Sequence, residues 1–347
     1  MSAFYKSITE PNSNCYFIAE AGVNHNGNVK TALQLIDVAC QADADAVKFQ
    51  TFKPEHLVTK TAPAANYQIE NMHEQASQYD MLAAIQLKYE SHAELQSHCK
   101  DKSIDFLSTP FEEDSADFLN DIGLPAFKIP SGELTNIPFL KHVASKGKPM
   151  ILSTGMGSLS EVESAIASIE NAGLSEIIIL HCVSQYPAPY ADVNLRAMET
   201  LKHAFGYPVG FSDHTEGTEV AIAALSLGAC VIEKHFTLNK LMDGPDHKAS
   251  LEPDELISLV RSIRNVECAM GDGRKVMKPS EINTADVARK SIVAKEFIMA
   301  GDKITLDMLA IKRPGTGVDP SFIHLLLGRR VRFDIVKDQQ ITMGMFD

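Results

Sequence analysis

Short apolar runs rich in β-branched residues alternate with amphipathic stretches along residues 16–270. The runs predict eight buried strands: Tyr16–Glu20, Ala46–Gln50, Ile104–Ser108, Ala126–Ile129, Pro149–Ser153, Ile177–Cys182, Val209–Ser212 and Cys230–His235. The stretches between them have helical periodicity, as in Lys30–Ala42 and Glu255–Met270. Strands that alternate with helices form a parallel sheet, and eight such units fit a (β/α)8 TIM barrel, which typically spans about 250 residues. A doubly wound open sheet is the structural alternative.

Two segments depart from this alternation of strands and helices. Residues Val58–Leu87 are polar and aromatic, and they are too long for a simple βα loop, so we expect an insertion over the barrel mouth. The glycine- and proline-containing stretch Gly271–Asn283 is typical of a linker. After it come short strands such as Ser291–Ala294 and Leu309–Lys312. The predicted domains are a catalytic barrel (1–275), a linker (276–287) and a small β-rich domain (288–347).

Composition excludes several classes of function. The formal net charge of −13 argues against non-specific nucleic-acid binding, which requires a basic surface. No apolar run is long enough to span a bilayer, and Met1–Asn14 lacks a signal pattern, so we expect a cytoplasmic protein without membrane contact. The six cysteines include no CxxC pair and are expected to be reduced thiols. Among them, Cys182 at a strand end lies nearest to the expected chemistry.

Every predicted strand ends in polar or ionisable residues, although buried strands are otherwise almost continuously apolar. In a TIM barrel these carboxyl ends meet at one mouth, where the active site lies. The ends supply two lysines and several hydroxyls: Lys48, Lys128, Thr109, Ser131, Ser153 and Ser212. Lysine supplies point charge and hydroxyls supply directional donors, a combination that suits a small substrate with a phosphate and a carboxylate. The alternative is that the hydroxyls only cap the following helices.

Two histidines, His214 and His235, follow adjacent strands. Together they can share one exchangeable divalent ion, and Mn²⁺ or Mg²⁺ suits such a site better than structural zinc. A structural role for either histidine is the alternative. A Schiff-base aldolase is an alternative function, because a lysine could form the imine with a carbonyl substrate. The candidate lysines are Lys48, Lys128 and Lys234. The turn that contains His25 offers a further imidazole that could point into the mouth.

Eight motifs give the chain a specific resemblance that covers nearly its whole length. They are Ala19–Gly27, Lys48–Gln50, Ser108–Phe111, Lys128–Glu133, Ser153–Met156, Gly210–His214, Glu233–Thr237 and Gly244–His247. With these motifs the chain resembles the bacterial sialic acid synthase family, which comprises N-acetylneuraminate synthase and related nonulosonate synthases. The residues from about 285 onwards, including Lys312–Gly315, resemble the antifreeze-like SAF (β-clip) domain that ends these enzymes.

The resemblance implies a phosphoenolpyruvate-dependent transferase that forms a carbon–carbon bond. Its substrates would be phosphoenolpyruvate, N-acetylmannosamine as the N-acylated amino-sugar aldehyde, and water. The products would be N-acetylneuraminate and phosphate. The implied catalytic residues are Glu20, Lys48, Lys128 and Asp246, with Glu20 as the acid/base group. The implied phosphoenolpyruvate contacts are Lys48, Thr109, Lys128, Ser131, Ser153 and Ser212, with Glu133 and Ser184 also in the substrate site. Ser184 stands where some members have asparagine, and serine can still donate one hydrogen bond there.

The resemblance further implies that the amino sugar is held by Gln50, Tyr186, Asp246 and Arg313, and that the metal is held by His214 and His235. It also implies a domain-swapped homodimer in which Arg313 reaches the partner's sugar. The acceptor remains open, because a 2,4-diacetamido-2,4,6-trideoxy hexose would give legionaminic or pseudaminic acid from the same motifs. An ice-binding protein built on the tail is a non-catalytic alternative, which the charged tail residues Lys312, Arg313 and Arg329 disfavour.

Overall fold

The computed structural model describes residues 1–11, 13–65, 68–69 and 77–347. Eight parallel strands form one sheet: β1 (Tyr16–Gly22), β2 (Ala46–Thr51), β3 (Asp105–Pro110), β4 (Phe127–Ile129), β5 (Met150–Ser153), β6 (Ile177–Cys182), β7 (Val209–Asp213) and β8 (Val231–His235). Their order is β3-β2-β1-β8-β7-β6-β5-β4, and β3 lies against β4, which nearly closes the ring. The predicted TIM barrel is therefore confirmed, and the open sheet is excluded.

Helices separate consecutive strands, as the periodicity predicts. They are α1 (Ala3–Thr9), α2 (Val29–Gln41), α3 (Pro54–Leu57), α4 (Gln78–Ile85), α5 (Tyr89–Lys102), α6 (Glu113–Asp121), α7 (Ile137–Ala144), α8 (Leu159–Asn171), α9 (Tyr190–Val193), α10 (Ala197–Phe205), α11 (Glu219–Ser226) and α12 (Pro253–Met270). Helix α1 precedes the barrel and was not predicted. Among the described helices, none is both long and apolar enough to cross a membrane.

Helix α2 shows how local sequence places these elements. The Asn28 side chain accepts hydrogen bonds from the backbone N–H groups of Lys30 and Thr31, which caps the first turn. The buried side chains recur at helical spacing: Ala32, Leu35, Ile36 and Ala39. Such a stripe lies on one face of a helix and packs against the sheet. The helix therefore covers the barrel while the polar end of β1 stays at the mouth.

The chain divides into two compact units, Met1–Gly271 and Asp272–Asp347. The second unit contains an antiparallel pair, β9 (Ser291–Ala294) and β10 (Leu309–Lys312), with a small apolar core of its own. Residues 276–287, which were predicted as a linker, include most of helix α13 (Ile282–Ala288).

The predicted insertion over the mouth, Val58–Leu87, is described in part. Residues 66–67, with Tyr67, and residues 70–76 lie outside the described residues. The described part includes α4, whose buried side chains Met81, Leu82 and Ile85 pack with Val23 and Phe52 in a separate apolar cluster. This cluster lies beside the mouth rather than in the main core.

Close approach of β7 and β8 depends on Gly210. A Cβ atom at this position would overlap the carbonyl oxygen of Val231 and lie 2.6 Å from Leu180 Cδ2. We therefore expect Gly210→Ala to lower the free energy of unfolding by about 1–3 kcal/mol, because the two strands must separate. Thermal and urea unfolding would measure the loss.

Gly132→Ala is the matched control, since a Cβ at Gly132 would meet no atom within 4 Å. This control should stay within about 0.5 kcal/mol of the unsubstituted protein. Equal stability of both variants would contradict the packing described for β7 and β8.

Candidate active site

A cavity of about 470 Å³ lies at the carboxyl ends of the barrel strands. All site residues implied by the family resemblance line it, except Arg313 in the second unit. The lining residues predicted in this way are Glu20, Lys48, Gln50, Thr109, Lys128, Ser131, Glu133, Ser153, Ser184, Tyr186, Ser212, His214, His235 and Asp246. Parallel strands in a closed sheet bring residues that are far apart in sequence to one rim.

Another cavity, of about 1000 Å³, lies at the opposite ends of the strands, beside Cys15 and Cys230. In TIM barrels that face serves stability, whereas catalysis takes place at the mouth. The mouth cavity is therefore the candidate active site.

The floor of the mouth cavity is a cluster of four buried charges. Lys48 Nζ lies 2.7 Å from Glu20 Oε2 and 3.6 Å from Glu233 Oε2. Lys128 Nζ lies 3.2 Å from the other oxygen of Glu233, Oε1. Strand register produces this arrangement, because Glu20 on β1 pairs with Lys48 on β2 and with His235 on β8. Glu233 thus joins the two lysines across the barrel axis.

Burial and neighbouring charge set the protonation of this floor. Burial raises the pKa of Glu20 to about 7, although Lys48 opposes that rise. Burial acts in the same direction on Glu233, but Lys128 and Lys48 outweigh it and hold the pKa of Glu233 below its ordinary value. Burial lowers the pKa of Lys128. For Lys48, the two carboxylates outweigh burial and raise the pKa. Glu20 is therefore a group of the floor whose pKa lies near neutrality.

Hydroxyl groups surround the two lysines. Thr109 Oγ1 accepts a hydrogen bond from Lys48 Nζ at 2.8 Å, and Ser212 Oγ donates to Glu233 Oε1 at 2.8 Å. Ser131 Oγ accepts from the backbone N–H of Gly155 at 3.0 Å. The buried Ser153 Oγ has no hydrogen-bond partner among the described residues. A buried hydroxyl without a partner is costly, so it indicates a place for a ligand atom.

Gly155 makes room for this ring of hydroxyls. A Cβ atom there would overlap Ser184 Oγ and would lie 2.7 Å from Ser131 Oγ. The glycine therefore lets both serines approach the strand ends.

The two predicted metal ligands lie side by side on the cavity wall. The rings of His214 and His235 have centroids 5.5 Å apart, and Tyr186 packs on both, at 4.2 and 5.6 Å. His214 Nδ1 donates to the carbonyl of Val183 at 2.6 Å, which leaves the lone pair on Nε2. His235 Nδ1 is buried without a hydrogen-bond partner among the described residues, and Asp246 Oδ2 lies 4.0 Å away.

Burial lowers the pKa of His214 to about 4 and that of His235 well below its usual value. Both rings are therefore neutral, which is the form that binds metals. Together with the unpartnered nitrogen of His235, this chemistry fits a divalent cation.

Among the described residues, the group of three candidate ligands that satisfies the spacing of a metal site is a different one. Ligand atoms of His56, Glu112 and Asp114 lie within 4.8 Å of one another. The group lies after β2 and β3, and Lys53 Nζ already pairs with Asp114 at 3.0 Å. Glu112 caps α6 by accepting from the backbone N–H of Ser115. These contacts account for the two carboxylates without an ion.

One wall of the cavity is apolar. Its side chains come from the end of β1, the loop after β2, helix α4 and the end of β3: Val23, Phe52, Leu57, Val58, Met81, Leu82, Ile85 and Phe111. The cavity is therefore two-sided, with charged and hydroxyl groups on the floor and aliphatic and aromatic groups on this wall. Such a surface suits a ligand with an anionic end and several methyl groups.

Some residues lie elsewhere than the sequence suggested. Glu233 is central to the floor but was not proposed as a site residue, although it precedes Lys234 and His235 in a recognised motif. Lys234 points away from the cavity, so among the described lysines Lys48 and Lys128 alone line it. His25 is buried, its Nδ1 accepts from the Gly27 N–H, and it is absent from the described cavity lining.

Cys182 and Arg313 are the remaining residues that the sequence placed near the site. Cys182 Sγ lies 3.1 Å from Ser131 Oγ, close to the floor. Arg313 is exposed in the second unit, where its Nε donates to the carbonyl of Ala288.

Several known proteins have sequences similar to this chain. The NeuB family profile matches residues 35–275, and the SAF domain profile matches residues 289–347. An N,N'-diacetyllegionaminic acid synthase of Legionella pneumophila is 46% identical over 325 residues, which cover 92% of this chain and 91% of that protein. A synthase of the same name from Campylobacter jejuni is 47% identical, over 93% of this chain and 98% of its own.

Solved structures agree with these matches. The crystal structure of the N-acetylneuraminic acid synthetase of Leptospira borgpetersenii, in complex with citrate, has a TM-score of 0.69 and 34% identity. It covers 79% of this chain and 90% of its own. With its barrel, its SAF domain and its matches over nearly the whole length, this chain belongs to the NeuB family, the family of sialic acid and related sugar-acid synthases.

Proposed function

We propose that this enzyme condenses phosphoenolpyruvate with a 2,4-diacetamido-2,4,6-trideoxy hexose and water to give N,N'-diacetyllegionaminic acid and phosphate. Two relatives with that activity in their names are 46% and 47% identical, and this favours the trideoxy sugar over the N-acetylmannosamine expected first. The apolar wall is the structural observation that supports the trideoxy sugar as the acceptor. The trideoxy sugar presents two acetyl methyls and a C6 methyl, whereas N-acetylmannosamine presents one acetyl methyl and a hydroxymethyl group.

The charged floor provides the phosphoenolpyruvate site. Lys48 and Lys128 supply the positive charge that a phosphate and a carboxylate require, and Thr109 and Ser212 stand beside them as hydrogen-bonding groups. The unpartnered Ser153 hydroxyl offers a further donor. Held in this way, the methylene carbon of phosphoenolpyruvate attacks the sugar aldehyde. Water adds to the enol carbon, and the carbon–oxygen bond to phosphate breaks.

Enzymes of this family are generally metal-dependent. We place the cation, Mn²⁺ or Mg²⁺, on His214 and His235, where it would supply Lewis-acid activation of the sugar aldehyde. Tyr186 packs against both rings and keeps them in place.

Acid–base chemistry is assigned to Glu20. Its carboxylate lies 2.7 Å from Lys48 Nζ and 3.3 Å from Gln50 Nε2, at the junction of the floor and the sugar side of the cavity. A pKa near 7 lets it accept a proton from water at neutral pH. Gln50, Tyr186 and Asp246 are proposed to hold the sugar. The contact of Arg313 with the sugar of a partner subunit stays a prediction.

Parallel assays of phosphate release test the acceptor. With phosphoenolpyruvate and Mn²⁺, we expect kcat/KM for the trideoxy sugar to exceed that for N-acetylmannosamine by about 10–200-fold, the range for one methyl group in an apolar pocket. Mass spectrometry would identify the product. Higher efficiency with N-acetylmannosamine would overturn the proposed acceptor but not the reaction class.

Leu57→Asn tests whether the apolar wall is responsible. It should lower kcat/KM for the trideoxy sugar more than for N-acetylmannosamine, because the methyl groups then meet an amide. The matched control is Leu227→Asn, at an exposed leucine outside the cavity lining. Equal losses with both sugars would show that the wall does not select the acceptor.

Removal of both imidazoles should abolish the metal-dependent reaction. The His214→Ala/His235→Ala variant is expected to fold, as judged by circular dichroism, because both side chains face the cavity rather than the core. Its turnover should stay at background at all Mn²⁺ concentrations. The matched control is His98→Ala, at a helix surface. Full activity of the double variant would eliminate this metal site.

The pH profile should depend on Glu20. As a base it must be ionised, so kcat/KM should fall as the pH drops below about 7, where burial places its pKa. Glu20→Gln should lower kcat by about 10²–10⁴-fold and remove that limb of the profile. If ionisation of phosphoenolpyruvate itself lowers the rate at low pH, that fall in rate remains in the variant. A pH profile that Glu20→Gln leaves unchanged would show that another group is the base.

A further inference from the structure

A buried ion pair lies next to the two histidines in sequence, outside the cavity lining. Lys234 is 1% exposed, and its Nζ donates to Asp213 Oδ2 and to the carbonyl oxygen of Thr215, both at 2.7 Å. The other carboxylate oxygen of Asp213 accepts from the Thr215 backbone N–H at 2.9 Å and from its hydroxyl at 2.7 Å. Neither Lys234 nor Asp213 lines the mouth cavity.

Strand alternation explains this position. Side chains of consecutive strand residues point to opposite faces, so Glu233 and His235 face the cavity while Lys234 faces outward. Asp213 is likewise outward, between the cavity-facing Ser212 and His214. The register pairs Asp213 directly with Lys234. The ion pair therefore joins β7 to β8 at the residues immediately before His214 and His235.

The pair also fixes the chain after β7. Lys234 donates a hydrogen bond to the Thr215 carbonyl, and Asp213 accepts one from the Thr215 N–H. The residues before and after His214 are therefore hydrogen-bonded to β7 and β8. Val183 then fixes the His214 ring itself through Nδ1.

We propose that the Lys234–Asp213 pair is a positioning device that sets the spacing of His214 and His235 for a shared divalent cation. This inference rests on the metal site of the proposed function. A buried ion pair is weak evidence for stability, since well-packed apolar residues often serve as well, and fixing one geometry is its better-attested use. Groups that orient metal ligands typically change metal affinity by about 10–100-fold when they are replaced.

The test uses the double variant Asp213→Asn/Lys234→Met, which removes both charges and keeps an acceptor for the Thr215 N–H. Calorimetry and the paramagnetic resonance of free Mn²⁺ would measure Mn²⁺ binding without substrate. We expect the Mn²⁺ dissociation constant to rise about 10–100-fold, while the affinity for phosphoenolpyruvate without metal changes less than about twofold. Turnover should return at high Mn²⁺. Asp213→Asn alone is a milder second variant, if the double variant does not fold.

The matched control is Asp45→Asn/Arg264→Met. It removes another ion pair of the barrel, with Arg264 Nη2 2.6 Å from Asp45 Oδ2, before the start of β2. It should lower the melting temperature without changing Mn²⁺ affinity.

Three results would overturn the proposal. The first is unchanged Mn²⁺ affinity in Asp213→Asn/Lys234→Met or, where only the milder variant folds, in Asp213→Asn. The second is an equal loss of affinity in the control, which would reveal a general effect of destabilisation. The third is the absence of Mn²⁺ binding by the unsubstituted protein. That last result removes the metal site itself, whereas the first two leave the proposed reaction intact.

Discussion

A carboxylate held between two buried lysines is the interaction on which the candidate active site depends. Glu233 lies within ion-pair distance of Lys48 and Lys128, and Glu20 closes the cluster on the other side of Lys48. A single lysine at this depth would lose its charge, because burial disfavours the ionised form. The two carboxylates outweigh burial at Lys48, and Glu233 opposes the effect of burial at Lys128, so the carboxylates favour the protonated form of both lysines. The proposed anionic substrate would bind beside these two lysines, and the surrounding hydroxyls would orient it by hydrogen bonds.

The other groups of the candidate site lie around this cluster. Strands β7 and β8 carry the histidine pair, and the segment after β2 supplies much of the apolar wall. The proposed phosphate-binding groups come from the ends of β2, β3, β4, β5 and β7, and the proposed metal ligands come from the ends of β7 and β8. The apolar wall comes mainly from the segments after β1, β2 and β3. The floor groups are proposed to bind phosphoenolpyruvate, whereas the wall is proposed to contact the acceptor sugar. This separation explains why the sequence motifs indicate the reaction class more firmly than the acceptor.

The strands and their polar ends could be predicted because both follow local patterns, and closure of the sheet then brings Lys48, Lys128 and Ser212 together without further information. The sequence could not show which residue of the run Glu233–His235 faces inward, since a shift of one position exchanges Lys234 for its neighbours. Lys234 therefore remained a Schiff-base candidate, although its contact with Asp213 holds it outside the cavity. Glu233 could have been found, because alternation puts it on the same strand face as His235, which was already placed in the mouth. The apolar wall depends on side chains from several segments, so no single motif reveals it.

The most direct measurement of the central claim follows the bridging oxygen of phosphoenolpyruvate. This oxygen would be labelled with a heavy isotope, and the enzyme would turn over the labelled substrate with the trideoxy sugar. Because the floor lysines are proposed to hold a phosphate that departs with its bridging oxygen, the label should appear in the released phosphate. Label retained in the sugar acid would mean cleavage of the phosphorus–oxygen bond, and it would contradict the mechanism assigned to this site.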